Sequence, residues 1–130
     1  MSEQGFRGLL VWQRAKTLAV AVYGLTKDER LKRDFSLADQ LRRSAVSVAS
    51  NIAEGDERES NRDSIRFFLI AEGSLAELAT QLEIAQAVGC LTREQTQPLL
   101  SQTIELGKML GALIRARNRP RDATRPEPRA

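Results

Sequence analysis

The stretch from Leu37 to Gly55, LADQLRRSAVSVASNIAEG, decides how this chain folds. Within it, Ala38, Leu41, Ala45, Val48 and Ile52 recur at spacings of 3, 4, 3 and 4. That period places an apolar stripe on one face of a helix and leaves the other face polar. Asp34 or Ser36 can cap its start by accepting a hydrogen bond from a free N–H of the first turn. Gly55 stands where a left-handed residue ends a helix, so the expected span is 36–54. The polar run that follows has the length of an αα-hairpin connection.

Working outward, a longer helix over 60–88 starts at Ser60 or Asn61 and stops at Gly89. Its seam is Phe68, Ala71, Leu75, Leu78, Leu82 and Ala85. Gly73 interrupts it at a cost of about 1 kcal/mol relative to alanine, which is tolerable if the bare backbone lets a neighbour approach closely. Upstream, Val11, Ala15, Leu18, Val22 and Leu25 make the same seam in a helix over 9–27, widened by Trp12, Ala19 and Tyr23. Residues 1–8 read as a frayed lead-in, and Lys27 to Arg33 as a charged loop with room for one helical turn. Downstream, Thr92 to Gln95 has the form of a capping box. Pro98 would delete an internal bond, so the last helix, over 95–118, is expected to begin near Thr96. It carries one stripe of Leu99, Thr103, Leu106, Leu110 and Leu113, and a second of Leu100, Ile104, Gly107, Gly111 and Ile114. The glycines of the second stripe would permit tight backbone contact. Residues 119–130 contain three prolines and no hydrophobic pattern, the composition of a disordered tail. Four seamed segments on short connections predict an all-α chain, an up-down-up-down antiparallel four-helix bundle over 9–118.

Composition narrows the function. A chain of 130 residues is one domain with room for a real core. No run approaches the roughly 20 apolar residues that span a bilayer, so no membrane partner is expected. The start MSEQGFRGLL lacks the features of a secretory signal, and with Cys90 as the single cysteine a cytoplasmic setting is expected. The net charge of +3 divides unevenly. Residues 115–130 hold six arginines against Asp122 and Glu127, a net of +4, which leaves −1 for residues 1–114. A basic tail can attract phosphate backbones.

Most catalytic chemistry is excluded by what is missing. Glu54, Glu72, Glu77 and Glu83 invite comparison with di-iron bundles, but those sites need histidines and this chain has none. The same absence removes Ser–His and Cys–His nucleophiles. Gly55 and Gly73 lie too far apart to form a phosphate loop. No cofactor or metal is expected, nor an enzyme.

Polar residues at awkward positions remain. Asn51 lies beside the stripe, one turn from Ser47 and three residues before Glu54. It satisfies free N–H groups at the helix end, or fixes register or oligomeric state, because misplacing it would leave a polar group unpaired, or contacts a ligand. Arg42 and Arg43 project about 100° apart, so only one can face fully outward. Arg58, Arg62 and Arg66, spaced by four, form a basic ridge with Glu59 and Asp63 interleaved. With no aromatic beside them, they would contact phosphates rather than bases.

Gln40 to Gly55, QLRRSAVSVASNIAEG, resembles the signature of the bacterial four-helix-bundle proteins encoded in intervening sequences of 23S ribosomal RNA genes. Phe68 to Leu78, FLIAEGSLAEL, with Gln81 to Ala85, resembles that family's second block. The likeness runs from about Val11 to Ile114. The family includes the accessory variability protein of diversity-generating retroelements, a ring-like homopentamer that binds nucleic acid and a reverse transcriptase. The resemblance therefore implies a non-enzymatic, pentameric bundle with RNA or DNA, and possibly a reverse transcriptase, as partners. One departure stands out: the nucleic-acid-binding relative is basic over its folded body, and this body is not. Candidate phosphate contacts are thus Arg42, Arg43, Arg58, Arg62, Arg66, Arg115, Arg117 and Arg119. Candidate structural and assembly residues are Asn51, Glu54, Gly55, Gly73, Ser74, Gly107 and Gly111. A scaffold for protein partners, without direct nucleic-acid binding, is the alternative expectation.

Overall fold

A computed structural model describes residues 5–119, and all its elements are helical. A short 3-10 turn, Gly5–Gly8, precedes α1 (Leu10–Leu25), α2 (Glu29–Arg33), α3 (Phe35–Asp56), α4 (Asn61–Ala87) and α5 (Arg93–Arg117). The expected seams supply the core. Leu41, Ile52, Phe68, Leu78 and Leu82 are wholly shielded from solvent. Each such side chain contributes about 1.5–3 kcal/mol by leaving water. On α5 the first stripe is the buried one, while Ile104 of the second is exposed.

Side-chain pairs give the helix directions. Along the α3–α4 contact, Ser64 Oγ donates to Gly55 O at 2.7 Å, the Ser47 and Ser74 hydroxyls meet at 2.8 Å, and Ser44 Oγ donates to Gln81 Oε1 at 2.6 Å. Residue numbers rise on one helix as they fall on the other, so the two run antiparallel. Thr96 Oγ1 bonds Gln86 beside the α4–α5 turn, and Gly107 faces Leu75 further along. Tyr23 lies under Arg42 and Gly5 beside Glu57, which sets α1 against α3 in the same sense. α1 also packs on α5, closing the four long helices around one core.

Local chemistry explains the ends. Asp34 caps α3, its carboxylate accepting from Leu37 N at 3.1 Å, and Ser60 caps α4 by accepting from Asp63 N at 3.1 Å. α4 closes on Gly89, whose φ of 83° is the left-handed conformation that glycine adopts without a Cβ penalty. There Gly89 N donates to Gln86 O and Cys90 N to Ala85 O, the paired bonds of a Schellman motif.

Three expectations need correction. Gly55 does not end its helix in a left-handed turn, since positive φ among the described residues occurs only at Gly5 and Gly89. It lies inside α3, where a Cβ would fall 2.6 Å from Phe68 Cε1 and 3.0 Å from Ser64 O. Its role is to let the next helix approach. α5 starts at Arg93 rather than near Thr96, because the capping box forms in full: Gln95 N donates to Thr92 Oγ1 at 3.1 Å, and Thr92 N to Gln95 Oε1 at 2.8 Å. Pro98 costs only the bond to Glu94 O, and both residues are exposed, so water can serve that carbonyl. The lead-in is not all frayed: Phe6, in the 3-10 turn, meets Trp12 edge-on at 5.1 Å. The charged loop does hold the helical turn for which it has room, α2, capped by Asp28 and pinned by the buried Leu31. The tail expected over 119–130 falls outside the described residues except for Arg119.

Candidate nucleic-acid and assembly surfaces

The structure divides the candidate arginines between two ends of the bundle. Arg117 donates to Asp56 at 3.1 Å, which brings the end of α5 to the α3–α4 hairpin. Arg58, Arg62, Arg66, Arg115, Arg117 and Arg119 therefore gather at one end, while Arg42 and Arg43 lie toward the other.

The hairpin-end group is not the uniform ridge that spacing suggests. Arg58 sits in the connection before α4, not on it, and pairs with Glu54 at 2.8 Å. Its guanidinium lies 4.5 Å from the centre of the Phe67 ring, and that of Arg66 lies 5.4 Å from it. An aromatic does stand beside these arginines, contrary to the expectation from sequence, and Phe67 follows Arg66 directly in the chain. Arg117 is also tied in, since it pairs with Asp56 and lies 5.4 Å over the core ring of Phe68. It locks three helices together. Arg62, Arg66, Arg115 and Arg119 are exposed, with no ion pair among the described residues. Glu54, Asp56, Glu57, Glu59 and Asp63 share this end, so its charge is mixed.

At the opposite end, Arg43 points outward with a long 3.9 Å contact to Asp39, a geometry worth little in solvent. Arg42 turns inward over Tyr23, 5.9 Å from the ring centre. There it borders a cleft of about 400 Å³ formed with Thr26, Lys27, Lys32, Phe35 and Ala38. Three cations and two aromatic rings line it, and no carboxylate does. The sequence reading assigns Tyr23 to the apolar face of the first helix and Lys27 and Lys32 to a charged loop, and gives Phe35 no role. The available signal was that Phe35 lies off the α3 stripe, and that a short connection must fold Tyr23 back against Arg42.

Asn51 does not serve free N–H groups at the helix end. Its Nδ2 donates to Ser47 O at 2.8 Å and Ser47 Oγ at 3.0 Å, and the Ser47 hydroxyl meets Ser74. The trio joins α3 to α4, and with the Ser44–Gln81 and Ser64–Gly55 pairs it fixes the register of that contact. A slip along the helices would strand these buried and half-buried groups.

Gly73 behaves differently. A Cβ there would meet nothing within 4 Å, so no described part of this chain uses its bare backbone. Around it on the outer face of α4 stand Leu69 at 52% exposure and Ile70 at 48%, with Ile84 and Val88 further along. Gly107 meets only Leu75 at 3.8 Å, and Gly111 only the flexible end of Arg115 at 3.3 Å, so neither makes the tight backbone contact expected of it. A second apolar surface, a groove of about 410 Å³, runs between α1 and α3, lined by Trp12, Ala19, Val20, Val46 and Ala49 among others.

No group of three or more His, Cys, Asp or Glu among the described residues could hold a metal ion. No helix among them is long and apolar enough to cross a membrane. Cys90 is a free thiol, half-buried after the α4 stop. Asp28 is held at about pH 2, below its ordinary 3.8, mainly because Gln95 Nε2 donates to it, helped by the Arg30 amide. That contact ties the α1–α2 connection to the start of α5 and is structural.

A crystal structure of a protein of unknown function from the S23 ribosomal protein family of Bacteroides thetaiotaomicron is similar to this chain, with a TM-score of 0.75 and 27% identity. The match covers 81% of this chain and 98% of that one. No curated protein matches. Residues 7–112 match the model of one family, whose description is 23S rRNA-intervening sequence protein. This chain belongs to that family of 23S rRNA-intervening sequence proteins.

Proposed function

We propose that this chain is a non-enzymatic accessory protein of the cytoplasm that assembles with copies of itself and associates with nucleic-acid backbones. The observation that carries this reading is the outer face of α4. Leu69 and Ile70 flank a helical glycine that faces open space in its own chain. A mid-helix glycine costs about 1 kcal/mol, and a second subunit packed on that face would offset it. The α1–α3 groove is a second, unlike apolar patch. Two unlike patches suit head-to-tail contacts, which close into rings when the rotation allows. Five subunits is the number implied by the resemblance to the retroelement protein, which also suggests a reverse transcriptase as a partner. Light scattering should return a multiple of 14.5 kDa, five for a pentamer, and a mass of one chain would overturn the assembly.

Arg62, Arg66, Arg115 and Arg119 supply the phosphate contacts. Structured RNA titrated at low and moderate salt tests them. Binding should weaken steeply as salt rises, because each neutralised phosphate releases counterions. Absent binding at low salt, or binding that ignores salt, would remove this part of the proposal. It would leave the second reading, a protein-interaction scaffold, favoured by the net charge of −1 over residues 1–114.

A further inference from the structure

The cleft at the α1–α3 turn combines features that the hairpin end lacks. Phe35 is the first residue of α3 and its side chain is 71% exposed, the highest value among the large hydrophobic residues. Nothing in the fold requires it there, since Asp34 provides the cap and the stripe begins at Ala38. Tyr23, also exposed, lines the same cleft. Lys27 and Lys32 are exposed at the rim, and Arg42 lies over the Tyr23 ring. The volume of about 400 Å³ falls within the roughly 300–1,000 Å³ range of ligand sites.

We propose that the Tyr23–Phe35 cleft binds unpaired nucleotides of a single-stranded nucleic acid, a base stacking on Phe35 and flanking phosphates lying against Lys27, Lys32 and Arg42. Single-strand sites combine these two parts, a cationic track for the backbone and exposed aromatic rings for bases. The lining holds three cations and no carboxylate, so the field favours an anion. An acidic peptide would satisfy the cations and leave the Phe35 ring without a partner, whereas a nucleotide uses both. A paired duplex offers its phosphates but keeps its bases stacked inside. The cleft therefore discriminates by strandedness. This inference rests on the nucleic-acid association proposed above, and it places the base-contacting site away from the hairpin-end arginines.

The test is fluorescence anisotropy with a short labelled RNA, single-stranded or annealed to its complement. The proteins are the full chain, Phe35→Ala, Phe35→Trp and the pair Lys27→Gln/Lys32→Gln. Phe35 and both lysines are exposed, so the substitutions leave the core intact, which circular dichroism verifies. Phe35→Ala should weaken single-strand binding about tenfold, leave duplex binding unchanged, and be rescued by Phe35→Trp. Removing both lysine charges should reduce the salt slope by about 1.4, the value for two phosphate contacts on a single strand. Salt-dependent binding by the full chain that ignores Phe35 would overturn the cleft and leave the general association standing. Polyglutamate competing as well as RNA would also overturn the cleft, assigning it to acidic peptides. No RNA binding by the full chain at low salt would overturn both.

Discussion

Gly55 and Gly73 belong to the two sequence blocks that resemble one family, yet the structure uses them in opposite ways. Gly55 is buried, and the Phe68 ring occupies the space where its side chain would be. Gly73 is exposed and faces nothing. The first glycine is explained inside the chain: it brings α4 close enough for Ser64 to bond the Gly55 carbonyl at 2.7 Å. The second meets nothing among the described residues, and the subunit contact proposed above would give it a use. A helical glycine on the inner face serves a close approach within the chain, and the proposal extends that use to the outer face between chains.

Alanine at each position breaks the comparison in opposite directions. Gly55→Ala forces a methyl into the Phe68 ring and the Ser64 carbonyl. Overpacking of this kind costs about 1–3 kcal/mol, more than the helical preference of alanine returns. Denaturant unfolding should show the midpoint falling. Gly73→Ala meets no atom among the described residues, so it should raise the stability of dilute, dissociated protein by up to about 1 kcal/mol. A loss of stability at Gly73, or a gain at Gly55, would reverse the roles assigned to the two glycines.

A smaller effect separates contacts within the chain from those of the outer faces. Asp28 titrates near pH 2 when folded and near its ordinary 3.8 when unfolded. Its carboxylate therefore stabilises the fold above about pH 4, and that contribution is lost as pH falls through about 2. Melting curves of the full chain and of Asp28→Asn should differ at pH 5 and converge toward pH 2. A difference that stays constant over that range would mean that the Gln95 contact does not depend on the charge.

The core was legible in the sequence because burial along a helix repeats at 3 and 4, and every seam residue of α3 and α4 is buried as the period requires. The cap box of α5 was visible too, but Pro98 was given too much weight: near a helix start, one lost bond at an exposed carbonyl is easily met by water. Gly55 was misread because a helix-ending glycine and a close-approach glycine look alike until the following helix is placed. Glu54 stands four residues before Arg58 and is visible as its partner, whereas Arg117 and Asp56 are 61 residues apart and only the fold brings them together. The Tyr23–Phe35 cleft draws on α1, α2 and α3, so no single helical period could reveal it.

The central claim, that the α4 outer face is an assembly surface, is tested most directly at Gly73. Gly73→Glu places a charge where the isolated chain has open space, so the variant should fold with unchanged helicity. Sedimentation equilibrium should then give a multiple of 14.5 kDa for the full chain and 14.5 kDa for the variant. Equal masses for the two proteins, whether one chain or several, would contradict the claim.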